Sequence, residues 1–156
     1  MRSVTFKNEI WDTLRLLSAG LDAAFKPAVE DVGLTMMQAR ILFEIWQNDD
    51  ATVGRLGDIF GVNSGNCSTM CKKLEKAGLI DRIRSKEDER IVTLSLTAQG
   101  KEVLNIIERK LNDKYNPVLE SQPQEKFDKI IEGMNALQEL LQELVDKYSQ
   151  RSKANE

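Results

Sequence analysis

Residues 61 to 82 read GVNSGNCSTMCKKLEKAGLIDR, a stretch in which a tight turn, a helix and the first residues of a strand follow one another. Gly61 ends the helical pattern that precedes it. After the turn, Asn63 or Ser64 can cap a new helix by accepting hydrogen bonds from its first backbone N–H groups. This second pattern continues up to Gly78, so the stretch predicts two helices joined by a short turn.

The apolar side chains of this second helix recur at a helical spacing, at Cys67, Met70, Cys71 and Leu74. Such positions share one face and predict a stripe that packs against a core. Cβ atoms four positions apart on a helix lie about 5 to 6 Å from each other, farther than a disulfide allows. We therefore expect Cys67 and Cys71 to pack in the core. A redox-sensing role stays open for both, whereas a metal site is disfavoured in a chain without histidine.

Two shorter helices are predicted upstream of residue 61. Thr35 can cap the first of them, with Gln38 at the spacing of a capping box. Thr52 can cap the second, which ends at Gly61. The side chains expected to be buried are Ile41, Leu42, Ile45 and Trp46 on the first helix and Leu56, Ile59 and Phe60 on the second.

Longer amphipathic helices are predicted towards both ends of the chain. One carries apolar residues every three or four positions over residues 10 to 25, and Pro27 is expected to end it. Thr97 can cap a later helix, which the pair Asn116–Pro117 is expected to end or bend. A last helix has an apolar stripe over residues 127 to 148.

The region between these helices changes from helical to alternating periodicity. Two β-rich runs, residues 79 to 84 and 91 to 96, flank a polar segment and predict a hairpin with a charged tip. Two helices joined by a tight turn and followed by such a hairpin match the winged variant of the helix-turn-helix. We therefore predict a mainly α fold with a small β-hairpin wing. Its expected parts are an N-terminal dimerisation helix over 1–33, a winged helix-turn-helix domain over 34–100 and C-terminal dimerisation helices over 101–156.

The composition excludes several classes of function. The 156 residues include no histidine, so no Ser-His-Asp or Cys-His nucleophile pair can form. A glycine-rich phosphate-binding loop is also absent from the sequence. We therefore expect neither an enzyme nor a cofactor. Because no apolar run is long enough to cross a membrane and no signal peptide is recognisable, a cytoplasmic protein without membrane contact is expected.

Positive charge is concentrated in the helix that follows Gly61, although the net charge of the chain is −3. Residues 63 to 77 hold three lysines against a single glutamate. An α-helix fits the major groove of duplex DNA, and a narrow hairpin can place a cation in the minor groove. The residues expected to contact bases and phosphates are Ser64, Gly65, Asn66, Ser68, Thr69, Lys72 and Lys73. The wing adds the cations Arg82, Arg84, Lys86 and Arg90.

From about Leu34 to Leu104 the sequence resembles the MarR family of transcriptional regulators. The resemblance rests on LTMMQARIL, on the stretch quoted above and on the wing RSKEDERIVTLSLTAQG with its Asp-x-Arg at Asp88 and Arg90. It implies a homodimer that binds a palindromic operator in double-stranded DNA, most often as a repressor. It also implies that Arg90 enters the minor groove while Asp88 helps to hold the wing. Glu89, between these two residues, stands where the family often has a basic residue.

The apolar stripes over residues 10 to 25 and 127 to 148 can be buried against a second chain, although a purely intramolecular bundle is an alternative. A small molecule or an oxidant is expected to release the DNA. Its pocket would lie between the dimerisation helices and the winged domain, with Trp11, Phe25, Phe43 and Trp46 as candidate lining residues. A second hypothesis is a winged-helix module that binds protein, for which the acidic wing tip is the favourable feature.

Overall fold

The computed structural model describes residues 3–48, 50–84 and 91–153. The described residues form six helices and one β-hairpin, which confirms the predicted mainly α fold with a β-hairpin wing. In chain order the elements are α1 (Ser3–Glu30), α2 (Met36–Gln47), α3 (Val53–Phe60), α4 (Ser64–Lys76), β1 (Ile80–Arg84), β2 (Val92–Leu96), α5 (Ala98–Glu120) and α6 (Gln124–Lys153). Three predicted wing contacts, Lys86, Asp88 and Arg90, lie outside the described residues.

The predicted caps of α2 and α3 are confirmed. The Thr35 hydroxyl accepts a hydrogen bond from the Gln38 N–H at 3.3 Å, and the Gln38 side chain accepts one from the Thr35 N–H at 2.8 Å. This reciprocal pair satisfies two backbone donors that the first turn of a helix leaves free. Thr52 caps α3 through its hydroxyl, which accepts a hydrogen bond from the Arg55 N–H at 3.2 Å.

The turn between α3 and α4 depends on two glycines. Gly61 has φ 62°, a left-handed conformation that residues with a Cβ adopt at a cost. The Val62 N–H then donates back to the Gly57 carbonyl at 3.0 Å. A Cβ at Gly57 would lie 3.1 Å from the Val62 carbonyl oxygen, so the small residue permits the close approach of the turn. Asn63 caps α4, accepting from the Asn66 N–H at 2.8 Å.

The hairpin is antiparallel, with Ile80 opposite Leu96 and Arg84 opposite Val92. Its second strand also reaches the loop before α3, because the Leu94 N–H donates to the Ala51 carbonyl at 2.9 Å. Thr97 follows directly and caps α5, as predicted, by accepting from the Gly100 N–H at 3.0 Å. The wing is therefore hydrogen-bonded to the loop before α3, and the capped first turn of α5 follows it directly.

A single cluster of buried apolar residues lies among α1, α2, α3, α4, the hairpin and α5. The prediction is confirmed for Ile41, Leu42, Ile45 and Leu56, and Phe60 is partly buried against this cluster. It is wrong for Trp46 and Ile59, whose side chains are 49% and 47% exposed. Both residues lie at the edge of their helix's apolar face, where spacing alone does not decide burial.

The end predicted for α1 at Pro27 is wrong by three residues, because the helix continues to Glu30. Helix α5 continues past Pro117 to Glu120, so of the two alternatives for Asn116–Pro117, an end or a bend, the end is wrong. In α1 the added turn is stabilised by packing, because Ala28 and Val29 are buried. The Pro27 carbonyl also accepts from the Asp31 N–H at 3.1 Å. These contacts outweigh the one backbone hydrogen bond that a proline removes.

The chain divides into two compact units, residues 1–114 and 115–156. The first contains the winged helix-turn-helix with α1 and most of α5, and the second contains the end of α5 and all of α6. Among the residues described, no helix is long and apolar enough to cross a membrane.

Candidate nucleic-acid interface

Helix α4 presents one polar face and one apolar face, as its spacing predicts. Six of the seven predicted DNA contacts on this helix are exposed, and Ser68 is half-buried. The exposed six are Ser64, Gly65, Asn66, Thr69, Lys72 and Lys73. On the opposite face Cys67, Cys71 and Leu74 are fully buried, and Met70 packs against the core. The apolar stripe predicted for this helix is therefore confirmed.

The first two turns of α4 carry short side chains that can hydrogen-bond to base edges. The Thr69 hydroxyl donates to the Gly65 carbonyl at 2.9 Å, so its proton is used in a hydrogen bond within the helix. Its oxygen and its methyl group remain at the surface, able to accept a hydrogen bond and to contact a thymine methyl. The exposed amide of Asn66 can both donate and accept, as recognition of adenine requires.

The positive charge of this face comes from lysines that have no ion pair in the described part of the chain. Lys72, Lys73 and Lys76 are exposed, and no carboxylate of a described residue lies within salt-bridge distance of them. Glu75, the acidic residue of the helix, is paired with Arg82 instead. The lysines are therefore available to bind phosphate groups.

The sequence places Arg82 among the cations that the wing offers to DNA, but the structure pairs this residue with a glutamate. Its side chain is 12% exposed, and its Nη1 lies 3.1 Å from Glu75 Oε2 on α4. Alternation along β1 gives the physical reason, because Ile80 and Arg82 lie on the same face and Ile80 is buried. Arg84 is exposed. Of the wing cations that the structure describes, Arg84 is thus the one available to DNA.

The contact between Glu75 and Arg82 is the main feature that the sequence interpretation missed. The period-two alternation of the strand was a usable signal, since it places position 82 beside buried position 80. A glutamate seven residues earlier on the adjoining helix was the other half of that signal.

Both cysteines are free thiols, and both are fully buried. Burial raises the pKa of Cys67, although a hydrogen bond with Cys71 opposes the increase. Burial also raises the pKa of Cys71 to about 12, with Cys67 adding to the increase and Arg82 opposing it. The thiolate is the reactive form of cysteine, so both side chains are unreactive at neutral pH while α4 stays packed. Within the described residues no group of three or more His, Cys, Asp or Glu side chains could hold a metal ion.

A cavity of about 320 Å³ lies between α1 and α2 and extends to Phe60. Phe25 and Phe43, two of the four predicted effector contacts, line it. Its walls are mainly apolar, and Arg40 at its edge is paired with Asp22 at 2.9 Å. The other two residues lie elsewhere: Trp46 lines a different cavity beside β2, and the side chain of Trp11 is 74% exposed.

The predicted apolar stripes of α1 and α6 are exposed in the single chain. On α1 the exposed apolar side chains include Trp11, Leu14, Leu17 and Leu21. On α6 they include Ile130, Ile131, Met134, Leu141, Leu144 and Val145. Contiguous exposed apolar surface of this kind marks an interaction site in a monomer.

Comparison with known proteins identifies the family. The sequence profile of the family described as "Transcriptional regulator SarA/Rot" matches residues 23–107. The organic hydroperoxide resistance transcriptional regulator of Bacillus subtilis is 34% identical over 94 residues, which cover 60% of this chain and 64% of that protein. This chain thus spans slightly less than two thirds of that relative's length.

Two solved structures show the same fold. The Staphylococcus aureus MarR in complex with salicylate and kanamycin matches with a TM-score of 0.75 at 20% identity, covering 89% of this chain and 94% of that one. Streptococcus pneumoniae FabT in complex with DNA matches with a TM-score of 0.67 at 19% identity, covering 86% of this chain and 99% of that one. The matched family and the B. subtilis relative are regulators of transcription, which confirms the expectation of a non-enzymatic protein. The chain belongs to the SarA/Rot family of transcriptional regulators, and its fold is the winged helix-turn-helix of the MarR-type regulators.

Proposed function

We propose that this protein binds double-stranded DNA sequence-specifically as a homodimer and represses transcription from a palindromic operator. The observation that carries the proposal is the exposed face of α4. Its hydroxyl, amide and ammonium groups lie together beside the wing, and the described residues hold none of its lysines in an ion pair. The fold that it shares with DNA-bound FabT supports the same placement.

In this proposal α4 enters the major groove with its N-terminal turn towards the bases. Ser64, Asn66 and Thr69 read base edges, and Lys72 and Lys73 bind phosphates. The wing lies along the backbone, where Arg84 and Lys86 bind phosphates. Arg90 enters the minor groove, held by Asp88.

The exposed apolar stripes of α1 and α6 support the proposed homodimer. One recognition helix contacts only a few base pairs, so specificity requires two half-sites about 34 Å apart on a twofold axis. A second copy of the chain would bury Leu17 and Ile131 together with their apolar neighbours, which are exposed in the single chain. This burial supplies the hydrophobic contribution to association.

A small molecule that enters the cavity between α1 and α2 is the proposed effector. The apolar walls beside Phe25 and Phe43 favour an aromatic ligand, and a carboxylate on that ligand could bind Arg40 at the edge by replacing Asp22 as its partner. The salicylate bound to the S. aureus MarR has both groups and supports this choice. Oxidation of Cys67 and Cys71 is a second route to release, and it would require α4 to open first because both thiols are buried.

The test is a gel-shift titration of the wild type and of Lys72→Ala/Lys73→Ala with duplex DNA from upstream of the protein's own gene. We expect the variant to bind all sequences more weakly. The slope of log K against log salt should fall by about one for each phosphate group that the variant no longer binds. The matched control is Lys101→Ala/Lys126→Ala, which removes the same charge from exposed positions of α5 and α6 and should keep the wild-type slope.

Equal slopes for the two double variants would contradict the assignment of α4 to the groove. If the wild type itself bound no duplex, the alternative of a winged-helix module that binds protein would replace the proposal.

A further inference from the structure

We propose that Arg82 is a positioning residue, which holds the wing against α4 through Glu75 and takes no part in contacting DNA. The inference rests on the proposed DNA binding and adds a residue to it. Arg84, two residues further along β1, contacts phosphate in this proposal, and Arg82 lowers the free-energy cost of that contact because it holds the strand in place before DNA binds.

The contact joins the two elements that the proposal places on DNA. Arg82 Nη1 lies 3.1 Å from Glu75 Oε2, and the arginine side chain is 12% exposed against 42% for the glutamate. The guanidinium also opposes the increase in the pKa of Cys71, which lies one turn before Glu75 on α4.

The backbone between the two elements is short and contains a glycine. Only residues 77 to 79 separate α4 from β1, and Gly78 has φ 73°. Hydrogen bonds from the Gly78 N–H to Glu75 and from the Leu79 N–H to Leu74 fix this turn at its start. Arg82 adds a side-chain contact further along the strand, and Arg84 lies roughly 7 Å beyond it at the usual rise of a strand.

The burial of Arg82 also has a free-energy cost, so a contribution to stability does not explain why a cation occupies this position. The Arg82 Nε is buried and has no hydrogen-bond partner among the described residues. A buried donor without a partner disfavours the folded state. An apolar side chain at position 82 would avoid that cost while filling the same space. A positioning role gives the buried cation a function that an apolar residue could not supply.

The experiment compares three proteins by DNA titration at several salt concentrations. Arg82→Met/Glu75→Gln removes both charges together, which keeps the net charge and leaves no buried unpaired ion. We expect its affinity to fall roughly tenfold, within the range by which residues outside a binding site modulate it, with an unchanged salt slope. Arg84→Ala is the comparison, because removing a side chain that binds phosphate directly lowers the slope as well.

Three further measurements separate positioning from general stability. The exchanged pair Glu75→Arg/Arg82→Glu restores opposite charges and should recover most of the affinity. Without DNA, amide hydrogen exchange in β1 should be faster in Arg82→Met/Glu75→Gln than in the wild type. Leu104→Ala, which destabilises the core at a buried position of α5, should leave the affinity of the folded protein unchanged.

A salt slope that falls in the double variant as it does in Arg84→Ala would show that Arg82 binds phosphate, and would overturn the inference. Wild-type affinity together with wild-type exchange in the double variant would also overturn it. If the wild type bound no duplex, the proposed function itself would be rejected. The wild-type titration shows this before any variant is compared.

Discussion

At the scale of single residues, position in the fold decides what a charged or reactive group can do. Arg82 and Arg84 are chemically identical and two positions apart on β1. The first is 12% exposed and paired with Glu75, whereas the second is exposed. The cysteines give a second case, because complete burial makes Cys67 and Cys71 part of the core. Residue type alone would assign the two arginines the same role and would leave the thiols reactive.

The buried thiols predict a loss of stability in alkali. An unfolded cysteine ionises near its ordinary pKa of 9.0, whereas the pKa of Cys71 in the folded chain is raised to about 12. Between these values the unfolded state has released a proton that the native state keeps, so the free energy of unfolding falls as pH rises. The expected slope is up to about 1.4 kcal/mol per pH unit for each such thiol.

Denaturant titrations from pH 7 to pH 11 measure this slope. Cys67→Ala/Cys71→Ala should lose the decrease in the free energy of unfolding that the two thiols cause. If the free energy of unfolding fell with pH in parallel for the two proteins, the thiols would ionise equally in the folded and unfolded states.

At the scale of elements, three segments meet where α4 ends and α5 begins. The Thr97 hydroxyl donates to the Gly78 carbonyl at 2.6 Å and accepts from the Gly100 N–H at 3.0 Å. The Thr97 N–H donates to the Leu79 carbonyl at 3.1 Å. Thr97, in the sequence Leu96-Thr97-x-x-Gly100 that follows the wing, therefore joins the end of α4 to the start of α5.

Gly100→Ala should be strongly destabilising because the first turn of α5 lies directly against this junction. A Cβ at position 100 would lie 2.0 Å from the Leu79 carbonyl oxygen, a backbone atom that cannot move aside cheaply. We expect a loss of about 3 kcal/mol or more in the free energy of unfolding, at the upper end of what overpacking costs.

The control is Gly54→Ala in α3, where nothing lies within 4 Å of the added methyl group. Thermal unfolding should show this variant close to the wild type. Similar melting temperatures for the two alanine variants would mean that α5 can shift away from Leu79.

The same scale explains where helix ends were predicted correctly. Each capping side chain accepts a hydrogen bond from a backbone N–H three residues later, so the caps can be predicted from the local sequence. The capping residues are Thr35, Thr52, Asn63 and Thr97. Pro27 is different, because α1 continues beyond it to bury Ala28 and Val29. Contacts with residues distant in the chain decided that end, and no local signal reports them.

At the scale of the whole molecule, the exposed apolar stripes predict that the chain is a dimer. Leu17→Asp on the stripe of α1 should produce a monomer, because a buried unpaired carboxylate costs several kcal/mol per ion, and a twofold interface would contain two of them. DNA affinity should fall with it, since a monomer contacts a single half-site.

Sedimentation equilibrium measures this change. The control Ala19→Asp adds the same charge to an exposed position roughly opposite Leu17 around α1, and should remain dimeric. Two monomeric variants would mean that α1 is buried on all sides, and two dimeric variants would remove the stripe from the interface.

Local sequence by itself determined the order of the elements, the caps of the helices, the left-handed glycine after α3 and the two faces of α4. These features depend on interactions within about one helical turn or on the periodicity of a single element. Both can be read from consecutive residues of the sequence. Only the tertiary structure decided that Trp46 and Ile59 are exposed, that Phe25 and Phe43 share a cavity without Trp11, and that Arg82 is paired with Glu75. Each of these depends on how separate elements pack, and the free energy of that packing is shared among residues that no local window contains.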